Sequence, residues 1–142
     1  MTALLDVRNV SKRFAMGGLL SRKSVDAVQD ASLSLSAETP EIFTIIGESG
    51  SGKTTLARMI LGLEPPTSGE ISFRGRTVSP RVSRAERLDF MANVQPVFQN
   101  PFSSLDPRMR VGKIIAEPLS TIPGMSRKEI SRRVGEVLEA VG

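Results

Sequence analysis

The sequence predicts an α/β fold, and three observations carry that prediction. An unbroken apolar and β-branched run, Ile42–Ile46, leads straight into a glycine-rich turn. From Lys53 the apolar residues take a helical spacing, Leu56, Met59, Ile60 and Leu63. The segments ahead of that point instead alternate with the period of two that belongs to half-buried strands.

The elements follow in chain order. Ala3–Val10 alternates and reads as a strand with Leu5, Val7 and Asn9 on one side. A loop rich in Gly and basic residues, AMGGLLSRKS, separates it from Val25–Leu35, where Val28, Ala31, Leu33 and Leu35 are the inward positions. Ile42–Ile46 is expected to be a strand buried on both faces. The helix opening at Lys53 is expected to stop near Gly62 and Pro65. TSGEISFRGRTV reads as a strand pair turning at Arg74-Gly75. Ser83 with Glu86 forms the pattern of a capping box and opens a short helix. Val94–Phe98 reads as another short strand, followed by a proline-marked loop from Gln99 to Pro107. A second capping box, Ser126 with Glu129, opens a last helix whose apolar stripe is Ile130, Val134, Val137, Leu138 and Val141. No internal repeat or low-complexity segment is present.

Composition narrows the chemistry. The 142 residues make about one ordinary domain, and 39% hydrophobic with 24% charged residues is a globular composition that can supply a core. There is no Cys and no His, so disulfides, thiolate nucleophiles, imidazole bases and ordinary zinc sites are excluded together. The lack of Cys fits the cytosol. No stretch approaches the ~20 apolar residues of a membrane span, and the N-terminus does not read as a signal peptide. The net charge of +4 suits a phosphate-bearing or anionic partner, and scattered surface arginines explain it equally well. Nucleic acid is not an expected partner, because the basic residues are dispersed and Tyr and Trp are absent.

The segment GESGSGKT fits the phosphate-binding pattern G-x-x-x-x-G-K-[ST], with Gly47, Glu48, Ser49, Gly50, Ser51 and Gly52 forming the cradle. Small residues let successive backbone N–H groups converge on phosphate oxygens, and the following helix aims its positive end at the same charge. Lys53 is placed to reach the β- and γ-phosphates, and the Thr54 hydroxyl is placed for Mg²⁺. The expected ligand is ATP with Mg²⁺. The bland alternative is a glycine-rich turn that binds nothing.

Several segments around this loop resemble one family. GESGSGKTTLARMILGL, EPPTSGEISFRG and VQPVFQNPFSSLDPRMRV are similar to the nucleotide-binding subunit of ABC transporters. The wording NPFSSLDPR points to the oligopeptide/dipeptide and nickel importer group. The resemblance runs from Leu4 to the last helix and implies a P-loop NTPase of ABC type, incomplete in this chain. It would comprise an N-terminal antiparallel β region, the P-loop strand and helix, a Q-loop strand and the start of the helical subdomain. The implied division is a core part at 1–107 and the helical start at 108–142. Residue by residue, Phe14 of VSKRF matches the aromatic that stacks on adenine, the alternative being a core phenylalanine. Val28 matches the other side of the base, with plain core as its alternative. Gly50, Gly52, Lys53, Thr54 and Thr55 match phosphate and Mg²⁺ contacts. Gln99 matches the Q-loop glutamine that reaches the metal or the attacking water; without the resemblance it is an ordinary loop residue. Thr39-Pro40-Glu41 stands where the family has a Pro-Gly-Glu turn, a departure Pro40 can absorb.

The resemblance also implies partners: transmembrane permease subunits of an importer, a second ATP-binding subunit, and a cytoplasmic position on the inner face of the membrane. After the Q-loop region the family continues with a signature motif, an Asp and a catalytic Glu ending a further strand, and a switch His. None is in this sequence, and Asp89 and Glu117 sit on the wrong elements to replace the acidic pair. The expectation is therefore a truncated or fragmentary product of marginal stability, with Ile42–Ile46 left as an exposed edge. Hydrolysis at family rates is not expected from it alone. Two other readings stand beside an importer ATPase. One is a non-catalytic nucleotide-binding fragment that docks on a membrane subunit through Phe98–Pro107. The other is a small-molecule P-loop kinase, against which the long antiparallel N-terminal region argues.

Overall fold

A computed structural model describes residues 3–16, 23–100, 105–122 and 124–142. The centre of the Gly- and basic-rich loop, 17–22, and part of the NPFSSLDPR segment, 101–104, lie outside the described residues. The chain divides into two compact units, Met1–Gln95 and Pro96–Gly142, earlier than the expected division at 107/108.

The first unit is built on two strands longer than the sequence pattern suggests, β1 (Ala3–Met16) and β2 (Lys23–Ser36), paired antiparallel. With β3 (Ser68–Phe73) and β4 (Arg76–Thr77) they form one four-stranded sheet of order β2-β1-β3-β4. The β1–β2 pair is bulged, which corrects the assumed inward face. Asn9 does not continue the run of Leu5 and Val7; it turns out at φ 48°, and Val10 takes the buried place instead. Asp30 has the same φ of 48° on the facing strand. Asn and Asp tolerate this left-handed region better than other side chains. Here side-chain hydrogen bonds close the gap: the Asn9 Nδ2 donates to Asp30 at 2.9 Å, and the Asp30 amide donates to the Ser11 hydroxyl at 2.9 Å. The register of β1 against β3 shifts at the same point, between Arg8 and Ser11. Gly69 lets β3 pass the bulge. A Cβ there would stand 2.3 Å from the Asn9 carbonyl oxygen, and its φ of 82° is strained for any other residue.

The core of this unit is Val7, Val10, Leu56, Met59, Ile71 and Val78, with Val28, Ala31, Leu33 and Phe90 packed around it. Leu56 and Met59 come from α1 (Lys53–Ile60), so the predicted helical stripe is the face that covers the sheet. Leu63 falls beyond the helix and is exposed. The helix ends in a Schellman motif, with Gly62 N–H bonded to the Met59 carbonyl at 3.0 Å and Leu63 N–H to that of Arg58 at 2.9 Å. The β3–β4 turn falls at Arg74-Gly75 as expected, both residues having positive φ. α2 (Arg84–Asn93) opens on the full Ser83–Glu86 capping box, and its Phe90 meets Phe73 edge-on at 5.5 Å.

Two predicted strands do not form. Ile42–Ile46 has no ladder partner among the described residues, and Ile42 and Ile46 are 97% and 87% exposed. Val94–Phe98 is likewise unpaired. An apolar β-branched run favours extended backbone, but a strand exists only where a neighbour accepts its N–H and C=O groups.

The second unit pairs α3 (Val111–Ser120) with α4 (Arg127–Val141). Gly112 lies beside Val134, the one buried residue of α4. The remaining stripe is only partly covered: Ile130 is half-buried, while Val137, Leu138 and Val141 are exposed. Ser126 caps α4 by accepting the Glu129 N–H at 3.2 Å. The reciprocal half of that expected capping box is replaced, because the Glu129 carboxylate is bound by Arg132 and Arg133.

Candidate functional site

The glycine-rich loop connects the unpaired segment Ile42–Ile46 to the head of α1. The Ser51 N–H bonds to the Glu48 carbonyl at 3.2 Å and closes a turn, with Gly50 at φ 83°. Gly52 then enters α1 at φ 91°. A Cβ on Gly52 would lie 2.0 Å from the Ala27 carbonyl oxygen and 3.2 Å from the Val28 side chain, so only glycine lets the loop lie against β2.

The first bond of α1 runs from the Leu56 N–H to the Gly52 carbonyl at 2.9 Å. The amides of Lys53, Thr54 and Thr55 are thus its open first-turn donors. No side chain caps this end and no acidic residue stands in the first turn, so nothing competes there for the positive end of the helix. The Lys53 ammonium folds back over the loop and donates to the carbonyls of Gly47 at 2.7 Å and Glu48 at 2.6 Å, and to the Ser51 hydroxyl at 3.3 Å. The lysine thereby bridges both ends of the turn and holds a positive charge at its mouth. Thr54 is exposed and Thr55 half-buried at the same helix end.

A cavity of about 490 Å³ opens here, within the range of small-ligand sites. Its lining includes Gly47, Gly50, Ser51, Gly52 and Lys53 from the loop, Asp26 to Gln29 from β2, and Ile45, Ile46 and Leu56. Of the sequence-predicted residues, the structure brings Val28 together with the loop. Glu48, Ser49, Thr54 and Thr55 flank the cavity in sequence without lining it. Phe14 does not line it either. It pairs with Val25 across the β1–β2 ladder, one rung beyond Arg13–Asp26, and is 39% exposed, which is not the burial of a core phenylalanine. Gln99 lies in the Pro96–Gly142 unit as an exposed residue, whereas the whole lining belongs to the first unit.

Two charged groups escaped the sequence reading. Asp26 lines the cavity and is gripped by the Arg13 guanidinium at 2.5 and 3.1 Å, which holds its carboxyl below the usual range. Lys12 is buried because the bulge at Asn9 moves the inward face from Leu5 and Val7 to Val10 and Lys12; the alternation read from the sequence, with inward positions at Leu5, Val7 and Asn9, carries no signal for it. No group of three or more acidic, His or Cys side chains that could hold a metal ion occurs among the described residues.

With this geometry the chain takes its place among known proteins. The family model described as ABC transporter matches residues 30–142. The chain belongs to the ABC transporter family. It is 46% identical over 126 residues to a protein of Brucella abortus (strain 2308) named peptide import ATP-binding protein, covering 89% of this chain and 36% of that protein. It is 37% identical over 138 residues to the nickel import ATP-binding protein NikE of Shigella boydii serotype 4, covering 97% and 51%. Among solved structures it is similar to the ATP-binding cassette MJ0796 in a dimeric post-hydrolysis state bound to ADP and Pi. That match has a TM-score of 0.72 and 26% identity, over 95% of this chain and 56% of the cassette. The chain thus spans between about a third and a little over half of the proteins it matches.

Proposed function

We propose that the chain binds ATP with Mg²⁺ and forms the N-terminal portion of the ATP-binding subunit of an importer for peptides or similar solutes. The observation that carries this is the loop at the head of α1, where Lys53 bridges the glycine turn beside three open amides. Such an end has the donors and the field for a phosphate chain. The name of the Brucella relative supports the solute class.

The residues fit the ligand in distinct ways. Gly50 and Gly52 keep the loop free of Cβ atoms, and Lys53, Thr54 and Thr55 present amides and side chains to the β- and γ-phosphates. Bound Mg²⁺ would neutralise charge on the phosphates; Thr54 is the residue of the first unit proposed to hold it. Phe14, half-exposed, is the proposed platform for the base, with Val28 on the cavity side. Gln99 is proposed to orient the attacking water. A second ATP-binding subunit and membrane-spanning permease subunits are the proposed partners, which would place the chain peripherally on the cytoplasmic face. None of the described helices is long and apolar enough to cross a membrane.

The test is titration of ATP–Mg²⁺ into the purified chain and into Lys53→Ala by calorimetry, with phosphate release followed in the same samples. Binding to wild type that weakens at least about tenfold in the variant is expected, since a charged hydrogen-bonding contact of about 1.5–3 kcal/mol is removed. A chain with intact far-UV circular dichroism that binds no ATP would overturn the proposal. Phosphate release separates a working ATPase from a fragment that only binds.

A further inference from the structure

Lys12 is the one buried charged residue among those described, 8% exposed, and stands in β1 between the buried Val10 and the exposed Phe14. Burying an ammonium is unfavourable unless it is fully paired, and a hydrophobic side chain would fill such a place at less cost. The pairing here is specific. The Lys12 Nζ meets the Glu64 carboxylate at 2.5 Å, donates to the Pro65 carbonyl at 2.7 Å, and lies 5.0 Å from the centroid of the Phe14 ring. Glu64 and Pro65 follow directly on the Schellman motif that ends α1, and the other end of α1 is the phosphate loop. One short helix therefore positions both the anion cradle and the group that grips the Phe14 ring.

We propose that Lys12 is a positioning residue for the nucleotide base, fixing the Phe14 ring by a cation–π contact and tying it through Glu64 and Pro65 to the helix that carries the phosphate loop. A cation against one face of an aromatic ring holds the ring in place and draws its π density to that side. The opposite face is then better matched to an electron-rich purine. The proposal rests on the reading of Phe14 as the base platform. It differs from a purely structural ion pair in one respect: it acts on the base and not on the phosphates.

That difference sets the experiment. The 142-residue chain and its variants are titrated by calorimetry with ATP–Mg²⁺ and, separately, with tripolyphosphate–Mg²⁺, which has no base. Lys12→Met keeps the apolar stem and removes the charge. It should weaken ATP binding by about three- to thirtyfold, the range of a desolvated cation–π contact, and leave tripolyphosphate within about twofold of wild type. Lys12→Arg should retain most of the preference for ATP. Equal weakening of both ligands, or of neither, overturns the proposal. Phe14→Ala separates the two layers of the argument. If it abolishes the preference for ATP while Lys12→Met does not, the Lys12 assignment alone fails; if it leaves the preference intact, the base-platform reading fails and takes this one with it. Should Lys12→Met lose its folded circular dichroism, Glu64→Gln removes the countercharge instead and is judged by the same ratio.

Discussion

β1 and the segment Ile42–Ile46 are both rich in the residue types that favour strands, and they end in opposite environments. β1 has β2 on one edge and β3 on the other, and its Val7 and Val10 are completely buried beneath α1. Ile42–Ile46 has no partner on either edge among the described residues, and most of its apolar surface faces solvent. The lesson lies in the type of pattern. Alternation in β1 asks for one covered face, which the same chain supplies from α1. A run that is apolar on both faces asks for two neighbours and two covering layers, a demand that short-range sequence cannot meet. The phosphate loop is attached to both kinds of structure: unpaired backbone on its N-terminal side and a packed helix on the other.

The contrast can be broken or sharpened by substitution, with the largest effect expected at the packed end. Met59→Ala empties the centre of the core formed by Val7, Val10 and Ile71. It should cost about 2–5 kcal/mol in urea unfolding, enough to unfold a small domain of ordinary stability. Gly69→Ala tests whether the β1 bulge is as tightly constrained as its partners suggest. A Cβ against the Asn9 carbonyl and a left-handed φ should together cost more than about 1 kcal/mol in the same assay. A neutral Gly69→Ala would mean that β3 can slide past the bulge.

Ser83→Ala removes the hydroxyl that accepts the Glu86 N–H and should cost about 1 kcal/mol, read as a loss of helical circular dichroism. The same cap makes a pH prediction. Hydrogen bonds from the Ser83 hydroxyl and amide hold the Glu86 carboxyl below its usual range. A group depressed in the folded state contributes above its unfolded value and loses that contribution as pH falls through its folded one. Helicity from α2 should therefore decline below about pH 4 and be insensitive near neutrality. Glu129, held down by Arg132, adds a decline of the same sign in α4. The smallest effect is predicted for Ile42→Thr. It should change stability by less than about 0.5 kcal/mol and reduce self-association in sedimentation, because the side chain is exposed. A large loss of stability would instead show that this segment is packed in solution.

Much of this molecule was legible residue by residue. The Ser83 cap, the Arg74-Gly75 turn, the Leu56 and Met59 face of α1 and its stop at Gly62 all depend on groups within a few positions of one another. So does the phosphate loop, whose glycines and lysine act over seven residues. Asn9 was misplaced because a bulge is a two-strand event: it answers to Asp30 and Gly69, neither of which is near it in sequence. α3 escaped the local reading although Ile114, Ile115 and Leu119 become partly buried, since an internal Pro118 argues against a helix until packing with α4 is considered.

By itself, then, the sequence determined the loop, the helix it opens, the caps and the family to which the chain belongs. These rest on short-range stereochemistry: which residues allow φ above zero, which side chains reach a free N–H, which spacing makes a face. The tertiary structure alone decided which apolar runs became strands, where the sheet bulges, and that Lys12 is buried between Glu64 and the Phe14 ring. Those outcomes depend on partners about twenty to seventy residues apart in the chain, from Asn9–Asp30 to the β1–β3 pairing, and hydrogen-bond ladders and charge pairs have no energy until both partners are in place.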